Sequence, residues 1–497
     1  MSQPGPSGPE TWMKRRWHPT DEDPRVKRSR EYQNDRGFRS DFHGPDHSAY
    51  GPQGPRRVLL YHPLQAESRF DLDPIVNNFM RGPPRHIRFD QPEPQLGWPN
   101  PMPYRPGVDL TGPPTNEHRV LQYLSLSTLF DKAIPPTTRK ADAKANEKEA
   151  SYEGLSEDMR VSFLEERQSS LVFERKVSLW QKMDDLVAKN FPGAFLQVFG
   201  STLNGFGNKS SDMDLGIFVD LNRVSASFSQ RQMNAGERIK ILLHRLKRII
   251  MVQMSTSIHS NIEMIPAKVP ILKMREKNWN TEIDIACNHP IGVRNTHLLF
   301  HYCQLDWRIA PLVHTIKLWA KTNKVNEAKN GTFSSYSLSL MVLHVLQHVV
   351  QPPVIPSLQH LVPEAFDPNS DITSLNFERV LPQYASSNCQ SLGALLVRFF
   401  QYYVQELDFT QHVPSVRTGG VLTNTDCEAQ ARRQGTPPRQ WKAYICVEEP
   451  FERTNAARAI CRREAFDDIL NAMTRTWNTL ASKSATATLA SILGPTE

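Results

Sequence analysis

The run FGSTLNGFGNKSSDMDLGIFVD, Phe199–Asp220, constrains the fold of this chain more than any other segment. Gly200 and Ser201 are followed by Asp212 and Asp214, which lead into an apolar stretch. Alternate residues of a strand share a face, so the two carboxylates point the same way. The apolar residues that alternate with them point toward a core: Met213, Leu215, Ile217 and Val219. Paired carboxylates favour a bound cation, and a Gly-Ser turn approaches phosphate closely, a layout typical of nucleotidyl transfer.

Length and composition divide the chain. Its 497 residues predict two to four domains. Residues 1–115 carry 20 of the 38 prolines and few apolar clusters, so we expect a disordered tail. The net charge of +7 is compatible with a polyanionic partner, but the sequence contains no dense stripe of basic residues.

The cysteines and the N-terminal residues 1–30 indicate the cellular compartment of the protein. None of the six cysteines forms a Cys-x-x-Cys pair, so we expect reduced thiols without zinc or disulfides. Residues 1–30 contain no apolar leader, and no apolar helical stretch is long enough to span a membrane. We expect a soluble cytoplasmic protein without a membrane partner. The basic clusters Lys14–Trp17 and Arg25–Arg30 leave a nuclear address open, although a solvated tail is the simpler interpretation.

Periodicity predicts an α+β protein with a small mixed sheet and a mostly helical partner domain. The predicted strands are Phe195–Phe199, Met213–Val219, Ile262–Ala267, Val269–Met274 and Glu282–Ala286, with a further short strand at Tyr444–Val447. The expected division is a tail (1–115), a linker with a short helix (116–154), a helix of the helical domain (155–193), the catalytic domain (194–292), the helical domain (293–482) and a C-terminal tail (483–497).

Asp284 is the candidate third carboxylate. In TEIDIAC it alternates with Ile283 and Ile285, which by itself is the ordinary pattern of a half-exposed strand. Beside Asp212 and Asp214 it completes a set that suits two metal ions, Mg²⁺ or Mn²⁺.

Seven motifs occur in this order: GSTLNGFG, SSDMDL, EIDI, GVRNTHLL, TIKLWAKTNKVN, GTFSSYSLSLMVLHVLQ and ICVEEPFERTNAARA. Together they resemble the noncanonical poly(A) polymerase and terminal uridylyltransferase branch of the DNA-polymerase-β-like nucleotidyltransferases. Within it they most resemble the cytoplasmic germline-development type. The resemblance covers about residues 155–480 and implies two lobes with a nucleotide in the cleft between them.

The resemblance also implies nucleotide contacts. Asn295 would contact the ribose of the incoming nucleotide. On the local sequence, a turn residue or a helix N-cap is an equally good interpretation. Lys317 and Lys321, four apart on a helix face, would reach the triphosphate; a solvated face is the alternative. Tyr336 would stack on the base, and Ser335 would lie beside the nucleotide. The alternative interpretation of this segment is an ordinary helix N-cap.

The base would be selected by the segment EEPFERTN, through Glu449, Glu452 and Asn455. In uridylyl-selective relatives a histidine lies near the place of Asn455. The asparagine here favours ATP over UTP. The alternative interpretation is a capped turn with solvated acids.

These residues predict AMP transfer from ATP to the 3′-hydroxyl of RNA by a two-metal mechanism, with release of pyrophosphate. No RRM, KH or zinc-finger signature is visible in the sequence, so the resemblance implies recruitment by an RNA-binding partner of KH or RRM type. DNA is not an expected partner. The alternatives are a terminal uridylyltransferase, an inactive scaffold for RNA-regulatory proteins, and a nucleotidyltransferase acting on small molecules or proteins.

Overall fold

The computed structural model of the protein describes residues 116–135, 152–221, 233–266, 269–482 and 486–493. The tail expected over 1–115, with its two basic clusters, lies outside these ranges. The helices are α1 Asn116–Ser125, α2 Glu153–Glu166, α3 Ser170–Asn190, α4 Ala235–Gln253, α5 Pro290–Leu305, α6 Ile309–Thr322, α7 Ser335–His344, α8 Leu358–Leu361, α9 Leu392–Gln401, α10 Asn424–Arg433, α11 Arg463–Ser482 and α12 Leu489–Leu493. The strands are β1 Phe195–Phe199, β2 Met213–Phe218, β3 Glu263–Ile265, β4 Ile271–Arg275, β5 Glu282–Cys287, β6 His412–Ser415 and β7 Gly420–Thr423.

A five-stranded mixed sheet lies at the centre of the first lobe. Its strand order is β1-β2-β5-β4-β3; β2 and β5 are parallel, and the other neighbouring pairs are antiparallel. The predicted small mixed sheet with a flanking helix is therefore confirmed. One face is covered by apolar residues of α1, α3 and α4, which with the strands form one core cluster. On the opposite face, Phe195 and Phe218 pack with Val293 of α5 in a smaller apolar cluster, and polar side chains of β2 and β5 occupy the other end.

The second lobe is helical. Its core joins α2, α6, α7, α9, α11 and α12 with the C-terminal half of α5. The predicted mostly helical domain is confirmed, and α7 continues into a π-helical turn at Val345–Val349. No described helix is long and apolar enough to cross a membrane.

The expected division of the chain differs from the structure at several places. In the segment 155–193, α2 packs in the helical lobe, but α3 carries Phe173 and Trp180 into the core of the sheet lobe. In the expected linker, α1 buries Tyr123 against that same core. Part of the expected C-terminal tail forms α12, whose Ile492 is buried in the helical lobe. Each error has one cause: periodicity shows that a helix has an apolar face but not which neighbour covers it.

The predicted strand Tyr444–Val447 is wrong. Those residues are bends and extended chain, followed by one isolated bridge between Glu448 and Asn455. Within the expected helical domain, the segment that precedes these residues contains the β6–β7 hairpin and α10. The six cysteines are all unpaired thiols.

Candidate active site

The three predicted carboxylates meet where β2 and β5 run side by side. Asp214 lies directly opposite Asp284 in the parallel register, and Asp212 immediately precedes β2. Their neighbours Met213 and Ile283 are fully buried on the other face. The alternation of the two strands therefore places all three acids at one end and on one face of the sheet.

Burial and mutual repulsion disfavour ionisation of these carboxyls. Burial raises the pKa of Asp214 to about 7, and the charges of Asp284 and Asp212 add to the rise. The pKa values of Asp212 and Asp284 are also raised, again chiefly by burial. A divalent cation reverses this penalty, because it favours the charged form of every carboxylate it touches.

The donor set fits a divalent metal. The Oδ1 atom of Asp284 is buried and accepts no hydrogen bond, which is costly unless a cation satisfies it. Oxygen ligands are those that Mg²⁺ and Mn²⁺ prefer. In the described ranges no three His, Cys, Asp or Glu side chains already converge at full metal-binding geometry. Asp284 is instead drawn toward the ammonium of Lys273, at 3.6 Å.

Lys273 was missed by the sequence reasoning. It lies on β4, opposite Asp284 in the antiparallel register, and its Nζ donates to Glu282 Oε2 at 2.6 Å. In the sequence it is only a polar residue between Leu272 and Met274, which is an ordinary strand alternation. Only the pairing of β4 with β5 places this cation at the carboxylates.

Lys176 of α3 was missed as well. Its ammonium is buried and donates to the carbonyl of Ser211 at 2.8 Å and to Gln168 Oε1 at 3.0 Å. Burial lowers the pKa of Lys176 to about 8, while the charges of Asp214 and Asp212 oppose the fall. The lysine therefore fixes the backbone just before Asp212 and places a positive charge beneath the acids.

Gly200 begins the turn that follows β1. Its φ of +72° is a conformation that glycine adopts without strain, and an added Cβ would lie 2.9 Å from Asp214 Cγ. Its N–H donates to Thr296 Oγ1 at 2.7 Å, and that hydroxyl donates to the Gly292 carbonyl at 2.7 Å. Ser201 follows in a 3₁₀ turn, half-buried. The turn is thus held against the acids by α5, through a threonine that the sequence reasoning did not single out.

Asn295, Tyr336 and Glu449 form a second cluster. The Tyr336 hydroxyl donates to Glu449 Oε1 at 3.2 Å, and the Asn295 side chain lies next to both residues. Asn295 Oδ1 itself is buried and has no partner. Burial raises the pKa of Glu449 to about 7, and the backbone N–H groups of Glu452 and Phe451 oppose the rise. The cluster offers an aromatic ring and an unpaired amide oxygen to a ligand.

The lysines of α6 differ from each other. Lys317 reaches the sheet lobe, where its Nζ donates to the Phe206 carbonyl at 2.8 Å, and burial lowers its pKa to about 8. Lys321, one turn later, is exposed. Ser335 is exposed and pairs with Asn326 at 3.1 Å, while the N-cap of α7 is Ser334.

Asn455 does not lie where a base could reach it. It is fully buried, its Nδ2 donates to the carbonyls of Gln440 and Ile445, and its Oδ1 accepts from the backbone of Val447 and Ala457. Every hydrogen-bonding position of its amide is used. In this structure the amide of Asn455 holds the chain after Glu448 and has no position left for a base, so its part in base choice stays a prediction that no direct contact supports.

Glu449 and Glu452, the other two residues expected to select the base, differ in exposure. Glu449 is buried against Tyr336, as described above, whereas Glu452 is exposed. Within this segment, Glu449 and Glu452 are therefore the remaining candidates for selecting the base.

Two family descriptions match the two lobes. Residues 155–304 match the central palm domain of mitochondrial-like poly(A) RNA polymerase, and residues 391–455 match the Cid1 family of poly(A) polymerases.

The chain is similar to curated proteins of one kind. It is 38% identical over 323 residues to a Drosophila melanogaster poly(A) RNA polymerase, gld-2 homolog A, covering 64% of this chain and 22% of that protein. It is 39% identical over 298 residues to Homo sapiens poly(A) RNA polymerase GLD2, covering 59% of this chain and 57% of that protein. The chain thus spans between about a fifth and somewhat over half the length of these relatives.

Solved structures share the fold. The GLD-2 structure from a GLD-2/RNP-8 complex superposes with a TM-score of 0.56 at 28% identity, over 68% of this chain and 97% of that one. The Cid1 poly(U) polymerase with bound MgGTP superposes with a TM-score of 0.54 at 26% identity, over 69% of this chain and 98% of that one.

Proposed function

We infer that the chain belongs to the noncanonical poly(A) polymerases of the GLD2 type, and we propose that it transfers AMP from ATP to the 3′-hydroxyl of RNA, releasing pyrophosphate. The observation that carries the proposal is the set of three acids on β2 and β5. Burial and the neighbouring acids raise the pKa of Asp214 to about 7, and Asp284 Oδ1 is buried and accepts no hydrogen bond within the described residues. Such a set favours divalent cations, which phosphoryl chemistry requires.

Asp212, Asp214 and Asp284 would hold the metal, Mg²⁺ or Mn²⁺, at up to two positions. When bound, the ions would supply Lewis-acid stabilisation of charge on the phosphates and a lowered pKa for the attacking hydroxyl. Lys273, which also donates to Glu282, would place positive charge near a neighbouring phosphate of the acceptor strand.

The triphosphate would be bound from both lobes. The backbone of Gly200 approaches closely because it carries no Cβ, and the Ser201 hydroxyl lies next to it. From the helical lobe, the ammonium of Lys317 is paired with nothing stronger than a carbonyl oxygen, so a phosphate can displace that contact at low cost. Exposed Lys321 adds longer-range attraction.

The nucleoside would be bound by the second cluster. The unpaired Asn295 Oδ1 suits a ribose hydroxyl donor, and the Tyr336 ring suits stacking on the base. Because the Tyr336 hydroxyl is tied to Glu449, the ring is held in place before the nucleotide arrives.

The choice of ATP over UTP rests on the GLD2-type relatives and not on Asn455, which is buried. A terminal uridylyltransferase is the second candidate, because the Cid1 poly(U) polymerase shares the same fold at nearly the same TM-score. Recruitment by an RNA-binding partner is supported by the GLD-2/RNP-8 complex of the relative. We keep the partner's KH or RRM type and the cytoplasmic location as predictions.

The test is a primer extension assay. An oligo(A) RNA is incubated with the protein, Mg²⁺ and each nucleoside triphosphate separately. ATP should be incorporated in preference, and Asp212→Ala or Asp214→Asn should abolish extension while the melting temperature stays near that of the parent or rises. Asp468→Ala, which removes an exposed carboxylate of α11, serves as the matched control and should extend normally.

Preferred incorporation of UTP would replace the adenylyl assignment with the uridylyl one. Extension that survives Asp212→Ala and Asp214→Asn would refute the metal site. A well-folded parent that incorporates no nucleotide, with or without co-purified partners, would favour the inactive scaffold.

A further inference from the structure

Trp279 is an exposed aromatic side chain on the turn that leads into β5, the strand that carries Asp284. It lies in the turn between β4 and β5 and is 59% exposed. Among the large apolar side chains that are exposed in the described ranges, it is the one aromatic ring. An exposed indole is unfavourable in water, so the residues around Trp279 indicate what kind of ligand would cover it.

The turn that carries Trp279 is held rigidly. The buried carboxylate of Glu276 accepts from the N–H of Asn278 at 2.8 Å and from that of Trp279 at 2.7 Å. Glu276 N donates to the Thr281 carbonyl at 2.9 Å, and Asn280 closes the turn with φ of +57°. A turn fixed at this many points presents the indole in one orientation.

Arg175 of α3 covers one face of that ring. Its guanidinium carbon lies 3.7 Å from the indole centroid, which is a close cation–π stack. The stack leaves the opposite face of the indole available to a planar ligand and gives it a positive backing.

The position of the ring points to the acceptor strand. In the parallel register Met213 pairs with Ile283, so Asp212 lies beside Glu282. Trp279 precedes Glu282 by three residues, a span of about 10 Å at most. Along the adjacent strand β4, Lys273 and Arg275 point to the same face as the acids. An RNA whose 3′ end lies at the acids would thus meet two cations and an indole within one or two nucleotides.

We propose that Trp279, backed by Arg175, stacks on a base of the single-stranded RNA acceptor just upstream of its 3′ end. The proposal rests on the proposed function in taking RNA as the acceptor. Stacking of this kind reads no sequence, in keeping with an enzyme whose targets are chosen elsewhere. It also supplies a binding contact on a chain that lacks a recognisable RNA-binding module in its sequence.

The test measures RNA affinity directly, without ATP and therefore without turnover. A fluorescein-labelled oligo(A) RNA is titrated with the full chain and followed by anisotropy. Trp279→Ala should raise Kd about fivefold or more, since a stacked base contributes about 1–3 kcal/mol. Trp279→Phe retains an aromatic face and should remain within about threefold of the parent. Arg175→Ala should give an intermediate loss.

Val252→Ala is the matched control, since Val252 is 77% exposed on α4 and should not affect Kd. A second measurement is the KM for RNA in the extension assay, which Trp279→Ala should raise while the KM for ATP stays unchanged. Equal Kd and equal KM for parent and Trp279→Ala would overturn the proposal, and the indole would then be available to a protein partner instead. That outcome is distinct from failure of the proposed function, in which the parent itself incorporates no AMP.

Discussion

Gly200→Ala tests the contact between the glycine turn and the acids. The substitution has two separable costs. The first is conformational, because φ of +72° is strained for any residue with a Cβ, by about 1–2 kcal/mol. The second is steric: the new Cβ would lie 2.9 Å from Asp214 Cγ and closer still to its Oδ2, in a half-buried carboxylate.

The steric clash is expected to lower the catalytic rate. To reach ordinary contact distances the Asp214 carboxylate must move by roughly 1 Å, and a displacement of that size costs about a hundredfold in rate. We therefore expect Gly200→Ala to lower the rate of AMP incorporation about a hundredfold or more. The loss in the free energy of unfolding should stay at about 1–3 kcal/mol.

Gly435→Ala is the control that separates the two costs. Gly435 also has a positive φ, +67°, but a Cβ added there would meet nothing within 4 Å. It should lose about 1–2 kcal/mol of stability and no activity. Both variants are measured by thermal unfolding and by primer extension. Activity of Gly200→Ala within about threefold of the parent, or an equal loss in Gly435→Ala, would refute the reasoning.

Three further predictions concern the same lobes. The pKa of Asp214 is about 7 in the folded protein, against 3.8 in the unfolded chain, so its contribution to stability is present below pH 3.8 and is lost as pH rises through 7. The metal-free protein should therefore melt at a lower temperature as the pH rises from 5 to 7.5, and this pH profile should be flatter in Asp214→Asn. Lys317→Gln should raise the KM for ATP about tenfold, because it removes a charged donor, with little change in melting temperature. Asn455→Ala should destabilise the protein by about 1–3 kcal/mol in denaturant unfolding, because two backbone N–H groups lose their acceptor, and should leave the preference between ATP and UTP unchanged.

The sequence sufficed for the parts of the site that follow from local periodicity. A strand period of two places Asp212 and Asp214 on one face and their neighbours in the core. Asp284 could be added because its own strand shows the same alternation. Gly200 could be singled out because close approach to an anion needs a residue without a side chain.

The parts that depend on pairing between distant segments could not be predicted. Lys273 lies near Asp284 only because β4 pairs with β5 in one register. Lys176 lies under the acids only because α3 packs on the sheet and not on the helical lobe. The burial of Asn455 could not be predicted either, because its place in the motif says nothing about burial, and the fold uses its amide internally.

Two adjacent residues of α5 serve different halves of the nucleotide site. Thr296 accepts from Gly200, in the turn beside the acids, and Asn295 contacts Tyr336 and Glu449 in the helical lobe. A rotation or shift of α5 must therefore disturb both contacts together. In the proposed nucleotide site, binding of a base and placement of the phosphates would therefore be thermodynamically linked through one helical turn. We expect a substitution of Asn295 that improves the fit of a different base also to alter the geometry at the acids.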